Sequence, residues 1–372
     1  MRILHVEAGR HLYGGALQVH YLTSALCDVD VDNILVCPEG AALPGILDPR
    51  VKVHAIKMNG DLDIGFIFRL RKIIKEEKVD MVHLHSRRGA DTLGLITAKV
   101  CGVPAVISRR VDNPESKLVS KLKYHGCDHV VAISQKIRDL LVSQGVCNDQ
   151  ITTVHSAVDS DEYDLHTDPR WFRKAFGIPE ESLVLGIVAQ LIQRKGHEVL
   201  FSALENAIDR LPDFRLLVFG QGPLEQQLKE RVAKSCLAEK IKFCGFRVDL
   251  PKMIANLDVL VHPAFAEGLG VSLLQANSCG VPIIAANAGG IPEIVQHNKN
   301  GWLFEPGAVD QLSRLLIDTM NDRQMLAQIR NTCRESVIER FSIESMVHGN
   351  KQIYKAVLSQ TEAASMLQNP QG

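Results

Sequence analysis

The chain opens with Ile3-Leu4-His5-Val6-Glu7-Ala8-Gly9-Arg10-His11-Leu12-Tyr13-Gly14-Gly15-Ala16, in which a short apolar run leads through a glycine-containing loop into a helix-like segment near 15–27. Four more short apolar runs follow in the first half of the chain, at 33–37, 80–84, 105–108 and 129–133. Helix-like stretches separate them, near 65–77, 89–101, 115–125 and 134–144. This alternation is typical of βαβ units and predicts a mostly parallel sheet covered by helices on both faces.

The alternation starts again in the second half of the chain, after the acidic stretch 159–164 and Pro169. Its short apolar runs lie at 183–189, 215–219, 241–244, 259–261 and 282–285, and from Asp310 onward the periodicity is helical. We therefore predict an α/β fold with two successive doubly wound domains and a boundary between 168 and 169. Two such domains imply a cleft between them, and ligands of open α/β sheets bind beyond the carboxyl ends of the strands.

The composition excludes several classes of protein. The chain has 372 residues, of which 46% are hydrophobic and 23% charged, so it is too apolar to be disordered. Its 42 Lys and Arg and 43 Asp and Glu residues leave a formal net charge of −1, and no overall field attracts nucleic acid. We expect no nucleic-acid partner.

The cysteines and the apolar runs bear on the compartment. Nine cysteines are scattered without a CxxC pair, which argues against a disulfide framework and a zinc site and fits a reducing compartment. The first residues are typical of a strand rather than a charged leader, and no stretch approaches the roughly 18 apolar residues of a membrane span. We expect a cytoplasmic protein that can still lie on a membrane surface.

Three loops that follow predicted strands are candidates for phosphate binding. Gly14-Gly15 would let backbone amides approach a phosphate or a reacting sugar, although a glycine pair is equally typical of a tight turn. Arg194-Lys195-Gly196 precedes a helix, where two cations would neutralise a diphosphate leaving group, the alternative being a solvated turn. The turn at Gly220-Gln-Gly222-Pro lines a nucleotide pocket or is an ordinary connection.

The most specific passage is His262-Pro263-Ala-Phe-Ala-Glu267-Gly268-Leu269-Gly270-Val271-Ser272-Leu-Leu-Gln275-Ala276, with Gly280-Val-Pro282 and Gly289-Gly290-Ile-Pro292-Glu293 after it. An acid on a loop, glycines that expose amides and a polar residue eight positions later can together hold a polyhydroxylated ligand. The carboxylate would bind hydroxyls, and the amides would bind phosphate or sugar oxygens. A helix cap with a buried glutamine does not account for the whole set.

These residues resemble the family-4 retaining glycosyltransferases of the GT-B fold, and the resemblance covers nearly the whole chain. The matching segments are Gly14-Gly15, His83-Leu-His85, Gly102-Val-Pro104, Ala132-Ile-Ser134, Ala157-Val-Asp159, Lys195-Gly196, Gly220 with Gly222-Pro, Pro263 with Glu267-Gly-Leu-Gly, Gly280-Val-Pro282 and Gly289-Gly-Ile-Pro-Glu293. The resemblance implies two Rossmann-like domains that face a central cleft, with an acceptor on 1–168 and a nucleotide-sugar donor on 169–344. It also implies that the terminal helix, 345–372, crosses back to the first domain.

By position, the resemblance assigns Glu267 to the hydroxyls of the donor sugar, Lys195 to the diphosphate and Gln275 to the ribose. The other donor-side residues that it implies are Gly15, Gln190, Arg194, Gly222, Gly268, Leu269, Gly270, Val271 and Ser272. The acceptor-side residues that it implies are Gly14, His83, His85 and Arg109. Glu267, Arg110 and Lys195 are the candidate catalytic residues.

The sequence departs from the family's pattern at three places. Gln275 stands where the family has a second glutamate, and it can accept from a ribose hydroxyl without charge assistance. Gln190 replaces an arginine that commonly precedes the Lys-Gly pair, with Arg194 nearby. Arg110 replaces a histidine; it cannot act as a base at neutral pH, but it can offer a fork of donors to a phosphate or carboxylate.

The family's members need no metal and no cofactor, since basic residues and backbone dipoles stabilise the leaving group. The aspartates at 28, 30 and 32, and those at 61 and 63, have a spacing that suits Mg²⁺ or Mn²⁺, but they lie in polar connections and are expected to be solvated. His83 and His85 point the same way from one strand, and no third ligand is evident. We expect them to face the acceptor.

One region has a marked charge asymmetry. Residues 66–125 contain thirteen Lys and Arg against six Asp and Glu. Within it, the helix-like segment 116–124 places Leu118, Val119 and Leu122 on one face beside three lysines, a pattern that suits contact with an anionic membrane surface. Ordinary packing of a surface helix explains the same pattern equally well.

The leading hypothesis is a retaining, metal-independent glycosyltransferase at the cytoplasmic face of a membrane. It would move a sugar from a nucleoside-diphosphate donor to a glycan or lipid-linked saccharide of the cell envelope, such as lipopolysaccharide or capsule. The alternatives are a nucleotide-sugar epimerase of the same fold and a non-catalytic partner subunit, which the residues at 190, 275 and 110 make conceivable. Fold alone does not separate the three. The sequence does not indicate the base, the sugar or the acceptor.

Overall fold

The strands form two separate parallel sheets in the computed structural model, which describes residues 1–86, 89–164 and 168–368. The chain divides into two compact units, Met1–Ala157 together with the residues from Ile343 onward, and Val158–Ser342. The predicted α/β fold with two doubly wound domains is confirmed. Each unit has its own sheet and is described separately below.

The first unit has a seven-stranded sheet in the order β3-β2-β1-β4-β5-β6-β7. Its strands are β1 (Arg2–Val6), β2 (Asp32–Pro38), β3 (Lys52–Ile56), β4 (Met81–Leu84), β5 (Ala105–Arg109), β6 (His129–Ala132) and β7 (Ile151–Thr153). Its first helices are α1 (Gly14–Leu26), α2 (Ile64–Glu77), α3 (Ala90–Cys101), α4 (Lys117–His125) and α5 (Gln135–Ser143). The strand order reverses between β1 and β4, so the loops after these two strands meet at a topological switch point.

The second unit has a six-stranded sheet in the order β10-β9-β8-β11-β12-β13. Its strands are β8 (Leu183–Val188), β9 (Phe214–Phe219), β10 (Ile241–Gly245), β11 (Val259–His262), β12 (Ile283–Ala286) and β13 (Gly301–Phe304). Its helices are α6 (Pro169–Phe176), α7 (His197–Ala207), α8 (Glu225–Ala233), α9 (Leu250–Ile254), α10 (Val271–Ser278), α11 (Ile291–Ile294), α12 (Val309–Met320), α13 (Arg323–Gln328) and α14 (Arg330–Ile338). Here the switch point lies between β8 and β11.

The terminal helix α15 (Ile343–Gln368) belongs to the first unit. Its Tyr354 is fully buried in a core cluster with residues of β1, β4, β5 and β6, and its Lys351 Nζ donates to the Val29 carbonyl oxygen at 2.8 Å. Met346, Val347, Ile353 and Val357 pack in the same cluster. The first hydrophobic core is therefore built from both ends of the chain.

The two units divide between Ala157 and Val158, ahead of the predicted boundary at 168/169. The acidic stretch is tied to the second unit, because Arg334 donates to the carbonyl oxygens of Ser160 and Tyr163 at 3.0 and 2.9 Å. Val158 N–H also donates to the Phe341 carbonyl oxygen at 2.9 Å. Residues 165–167, next to the predicted boundary, lie outside the described part of the chain.

Three strands were not predicted: β3, β7 and β13. β3 and β7 are edge strands with exposed or half-buried residues, so they lack the continuous apolar run of a central parallel strand. β13 begins at Gly301, where a Cβ would lie 2.3 Å from the Ile283 carbonyl oxygen. A glycine weakens a strand pattern in sequence, yet this one allows close approach to β12.

Candidate active site

In the second unit, the loop after β11 carries an acid that is held by two basic side chains. The Glu267 carboxylate accepts from the Lys195 ammonium group, and its Oε2 lies 3.0 Å from His262 Nε2. His262 is the last residue of β11, and Lys195 lies in the loop between β8 and α7. The switch point of the second sheet therefore brings together Lys195 and Glu267, two of the predicted catalytic residues.

The carboxylate of Glu267 is ionised. Burial alone would raise its pKa, but the hydrogen bond from His262 and the positive charge of Lys195 outweigh burial and hold the pKa well below its usual range. Burial lowers the pKa of His262 in turn, so its imidazole is neutral and Nε2–H donates to Glu267. His262 Nδ1 is then a buried acceptor, and it has no partner within 1–86, 89–164 and 168–368. The site combines a fixed anion with a fixed cation.

Two glycines make this arrangement sterically feasible. Gly196 has a φ of 71°, and a Cβ there would lie 2.0 Å from the Pro263 carbonyl oxygen. Gly289 has a φ of 56°, and a Cβ there would lie 1.9 Å from the Glu267 carbonyl oxygen. Gly290 N–H donates to that same oxygen at 3.0 Å. The lysine loop and the glutamate loop are therefore packed backbone against backbone, which fixes both side chains.

The other predicted donor-side residues of the second unit surround the same edge of the sheet. Gln190 follows β8 and is exposed; Arg194 is exposed, and its Nη1 donates to the Ala266 carbonyl oxygen at 3.2 Å. A Cβ on Gly222 would lie 2.5 Å from the Leu191 carbonyl oxygen, so this turn packs against the loop after β8. Gly268, Leu269 and Gly270 are buried ahead of α10, and Val271 and Ser272 are half-buried in its first turn.

Gln275 lies on α10 and is buried. Its Nε2 donates to the Tyr163 hydroxyl at 2.7 Å. The side chain at this position therefore already has a protein partner, which comes from the acidic stretch that the sequence analysis treated as a connection.

Sequence reasoning gave no role to His197, the first residue of α7. Its side chain is buried, and neither ring nitrogen has a partner in the described part of the chain. Burial lowers its pKa to about 4, with the nearby His262 and the charge of Lys195 acting in the same direction. Its position directly after Lys195-Gly196 was the available signal.

In the first unit, a cavity of about 300 Å³ opens at the carboxyl ends of β1, β4 and β5. Four predicted residues line it: Gly15, His85, Arg109 and Arg110. The structure adds Glu7, Arg10, Tyr13, Asp91, Lys123 and Tyr124 to its walls. Gly14, the first residue of α1, and His83 are not among the lining residues.

His83 was predicted to face the acceptor, but its ring is buried beneath the cavity. His83 Nδ1 lies 2.6 Å from the Tyr354 hydroxyl, and Nε2 lies 2.8 Å from Ser108 Oγ. Both nitrogens are used to join β4 to β5 and α15. His83 therefore supports the wall of the cavity from behind.

A chain of hydrogen bonds runs from the first core to the cavity. His5 Nε2 lies 3.0 Å from Asn33 Oδ1, His5 Nδ1 lies 2.9 Å from His85 Nε2, and His85 Nδ1 lies 3.3 Å from Arg110 Nη2. Asn33 Nδ2 donates to the Val31 carbonyl oxygen, so Asn33 Oδ1 faces His5 and must accept. It follows that His5 carries its proton on Nε2 and His85 on Nε2, and that His85 Nδ1 accepts from Arg110.

His5 is the third histidine that the sequence analysis did not find, and with His83 and His85 it brings ligand atoms within 4.8 Å of one another, a spacing that suits a metal ion. However, every one of the six ring nitrogens already has a hydrogen-bond partner. The adjacent Arg110 guanidinium would also repel a cation. The donor set therefore fits a hydrogen-bonded network better than a metal centre.

Burial keeps these three histidines neutral. It lowers the pKa of His5 to about 4, and it holds the pKa of His83 and His85 well below 6.5, with their neighbours' charges acting in the same direction. The hydrogen bonds that link Asn33, His5, His85 and Arg110 consequently keep one set of histidine tautomers across the neutral pH range.

Arg109 lines the cavity but belongs to a closed network of charges. It is buried, Nη1 lies 3.2 Å from Glu115 Oε1, and Nη2 donates to the Asn113 carbonyl oxygen at 2.5 Å. Lys123 Nζ donates to the same Glu115 oxygen at 3.2 Å and to the Asp91 carboxylate. Two cations thus face two carboxylates, and the predicted acceptor contact of Arg109 competes with this network.

Family models match consecutive parts of the chain. A glycosyltransferase family 4 model matches residues 13–162, and a model of glycosyl transferases group 1 matches residues 170–336. The fold and the site thus define a glycosyltransferase with the GT-B fold. The chain belongs to the family-4 glycosyltransferases.

Known relatives extend over nearly the whole chain. The UDP-Gal:alpha-D-GlcNAc-diphosphoundecaprenol alpha-1,3-galactosyltransferase of Escherichia coli is 25% identical over 345 residues, covering 87% of this chain and 88% of that protein. The N-acetyl-alpha-D-glucosaminyl L-malate synthase of Bacillus anthracis is 23% identical over 385 residues, covering 96% and 93%. The crystal structure of HepE from Anabaena in complex with UDP and glucose is similar with a TM-score of 0.84 and 21% identity, covering 95% of this chain and 99% of that one.

The buried histidines generate a prediction about stability. The pKa of His5 is about 4 in the folded protein against 6.5 for an unperturbed histidine, so its contribution to stability is present above pH 6.5 and is lost as the pH falls toward 4. Between pH 7 and pH 5 this loss amounts to about 2 kcal/mol for His5 alone. Urea unfolding should show that the free energy of unfolding of the wild type falls from pH 7 to pH 5. The fall should be smaller in His5→Asn.

His348→Asn is the control, because His348 is exposed on α15. The free energy of unfolding of this variant should fall between pH 7 and pH 5 by as much as that of the wild type. An equal decline in the wild type and in His5→Asn would contradict the neutral, buried state of His5.

Proposed function

We propose that this protein is a retaining, metal-independent glycosyltransferase that moves a sugar from a nucleoside-diphosphate donor to a glycan or lipid-linked saccharide of the cell envelope. The observation that carries the proposal is the buried, ionised Glu267 between Lys195 and His262 at the switch point of the second sheet. A fixed carboxylate suits sugar hydroxyls, and a fixed ammonium group beside it suits a phosphate. The second unit is thereby assigned to the donor and the first unit to the acceptor.

The reaction breaks the bond between the anomeric carbon of the sugar and the terminal phosphate oxygen, and forms a bond from that carbon to the acceptor hydroxyl oxygen. The proton of the acceptor hydroxyl passes to the departing phosphate oxygen. Negative charge grows on the diphosphate as it leaves, and the proposal assigns its stabilisation to Lys195, Arg194 and the amides at the start of α10. These groups would do the work that a divalent cation does elsewhere.

Glu267 orients the sugar in this proposal. Its ion pair with Lys195 and its hydrogen bond from His262 leave little freedom for the carboxylate, so sugar hydroxyls would meet an acceptor already in place. Gln275 is assigned to the ribose, where its bond with the Tyr163 hydroxyl would hold the amide in one orientation.

The relatives guide the choice of ligands to test. The Anabaena structure contains UDP, so a uridine nucleotide is the first donor candidate. The names of the two relatives give a diphosphoundecaprenol-linked sugar for one and L-malate for the other. The acceptor therefore differs among proteins of similar identity, and an envelope saccharide is the proposal that suits a basic first unit.

Donor turnover with and without an acceptor separates this proposal from its alternatives. Calorimetry with UDP, GDP and ADP should identify one nucleotide, and the matching nucleotide-sugar should then be consumed when a saccharide acceptor is present. An isomerised nucleotide-sugar without any acceptor would favour an epimerase. Binding of no nucleotide-sugar and no turnover would favour a non-catalytic subunit.

The division of roles between Glu267 and Gln275 predicts opposite results for two variants. Glu267→Gln should collapse turnover and hardly change the affinity for the nucleoside diphosphate, because the carboxylate is assigned to the transferred sugar. Gln275→Ala should weaken the binding of the nucleotide and of the nucleotide-sugar equally, by about 1–2 kcal/mol for a lost hydrogen bond. Calorimetry with the nucleotide and a product assay measure the two effects.

Tyr163→Phe is the matched control for Gln275→Ala, since it removes the same internal hydrogen bond and keeps the amide. It should weaken nucleotide binding less than Gln275→Ala does. Equal loss of nucleotide affinity in Glu267→Gln and Gln275→Ala would refute the assignment.

Membrane contact through the basic region 66–125 is part of the proposal, and the described residues favour α2 rather than the segment 116–124. The side chains of Lys117, Leu118, Val119 and Leu122 lie outside the described part of the chain, as do Arg87 and Arg88. At the start of α2, however, Leu62, Ile64 and Phe68 are exposed by 92, 67 and 67%. Arg71, Lys72 and Lys75 are exposed along the same helix.

This surface, Leu62, Ile64 and Phe68 with Arg71, Lys72 and Lys75, is called the α2 surface below. Its apolar residues suit the acyl boundary of a bilayer, and its cations suit anionic headgroups. Phe66, Leu70, Ile73 and Ile74 on the other side of the helix are buried, so the exposed residues are not needed for the core. Among the described residues, no helix has the length and apolar character of a membrane span.

The α2 surface should bind vesicles that contain phosphatidylglycerol and not vesicles of phosphatidylcholine alone. The double variant Leu62→Ser/Phe68→Ser should lower the bound fraction in co-sedimentation several-fold, and high salt should lower it further because salt screens the cations. Val248→Ser, at a residue of the second unit that is 88% exposed, is the control and should bind like the wild type. Unchanged binding of the double variant would exclude this surface.

A further inference from the structure

Four cationic side chains line the cavity in the first unit: Arg10, Arg109, Arg110 and Lys123. Arg10 is exposed to solvent, whereas Arg110 is half-buried. Arg109 and Lys123 each pair with a buried carboxylate. Arg110 takes part in none of the ion pairs found between described residues, although it lines the same cavity. Its Nε is buried and, like Arg109 Nε, has no hydrogen-bond partner among the residues that the structure describes.

Arg110 makes a hydrogen bond that does not neutralise its charge. Arg110 Nη2 donates to His85 Nδ1, and His85 is a neutral acceptor whose tautomer is fixed by His5 and Asn33. On the other side, the methylene group at Cδ packs near Gly15, where a Cβ would lie 3.9 Å away. The hydrogen bond to His85 orients the guanidinium, and its acceptor carries no negative charge.

Glu7 is an acid that lines the same cavity and acts on Arg110 through its charge. Its Oε1 accepts from the Gly9 backbone N–H at 2.7 Å. The negative charge of Glu7 raises the pKa of Arg110, but burial has the larger effect and lowers it. Arg110 is half-buried, so its guanidinium has lost part of its hydration without forming an ion pair with a described residue, and an anionic ligand in the cavity would compensate that loss.

Guanidinium groups bind carboxylate and phosphate through paired N–H donors, and such charge-assisted bonds are about twice as strong as neutral ones. The cavity volume of about 300 Å³ suits a sugar-sized ligand. Arg10, Tyr13 and His11 at its walls offer further polar contacts. The cavity thus combines space for a sugar with a half-buried cation that forms no ion pair with a described residue.

We propose that the cavity of the first unit binds an anionic saccharide, and that Arg110 binds its carboxylate or phosphate group. The designation of this saccharide as the acceptor rests on the proposed function. The anion site itself does not, since it depends only on residues of the first unit. The acceptor would then be an acidic sugar rather than a neutral one.

Calorimetry on the full chain saturated with UDP tests the proposal with four probes: glucuronic acid, glucose 6-phosphate, glucose and inorganic phosphate. One of the two charged sugars should bind at least roughly tenfold more tightly than glucose and than inorganic phosphate, the factor expected for charge-assisted bonds. The better of the two identifies a carboxylate or a phosphate as the group that is bound. The proposal would be overturned if glucose, or inorganic phosphate, bound as tightly as the better of the two charged sugars.

Arg110→Gln should remove the preference for the charged sugar, and Arg110→Lys should keep part of it because the charge remains without the fork. The control is Arg314→Gln, an equal change of charge on the exposed face of α12, which should keep the preference. Arg110→Gln should also fold at least as stably as the wild type in thermal unfolding, because it removes a half-buried charge that forms no ion pair with a described residue. Weaker UDP binding in Arg110→Gln with no change for the sugars would assign Arg110 to the donor instead.

The outcomes separate this proposal from the proposed function. A wild type that binds UDP but neither charged sugar leaves the glycosyltransferase function standing and removes the anion site. A wild type that binds a charged sugar but no nucleotide retains the anion site and contradicts the function.

Discussion

Parallel strand pairing is the constraint on which the rest of the structure depends. It brings every strand's carboxyl end to one edge of the sheet, and the reversal of strand order opens a gap between two neighbouring loops at that edge. In the second unit, this gap lies beside His262 and Lys195, and in the first unit beside Glu7 and His85. Side chains that are far apart in sequence meet there because the topology leaves them no other place.

The two units treat buried charge in different ways. In the second unit, Glu267 is stabilised as an anion by a cation and by a neutral histidine, so the pair is ready to exchange partners with a ligand of either sign. In the first unit, ion pairs join Asp91, Arg109, Glu115 and Lys123, while Arg110 has a hydrogen bond to the neutral His85 and no ion pair with a described residue. A closed network favours rigidity, and an open charge favours binding.

Much of the fold could be predicted from the sequence, because central parallel strands are short continuous apolar runs and glycine loops follow them. The edge strands β3 and β7 were not predicted, since edge strands are partly exposed and mix apolar with polar residues. Of the candidate site, the positions of Glu267 and Lys195 in loops after strands could be predicted, because the spacing of a motif fixes its local geometry. The contacts of Tyr163 with Gln275, of His5 with His85 and of Tyr354 with His83 join residues 112, 80 and 271 positions apart, and no local pattern encodes such pairs.

The return of α15 to the first unit has a consequence for how the protein is made. During synthesis on the ribosome, the chain up to Ala157 emerges with its sheet but without Tyr354, Ile353 and Val357, which complete its core. His83 must wait for the Tyr354 hydroxyl until 271 further residues have been added and have left the exit tunnel. The second unit, by contrast, is continuous from Val158 to Ser342 and can mature as soon as it emerges. The half of the protein that is translated first is therefore the half that finishes folding last.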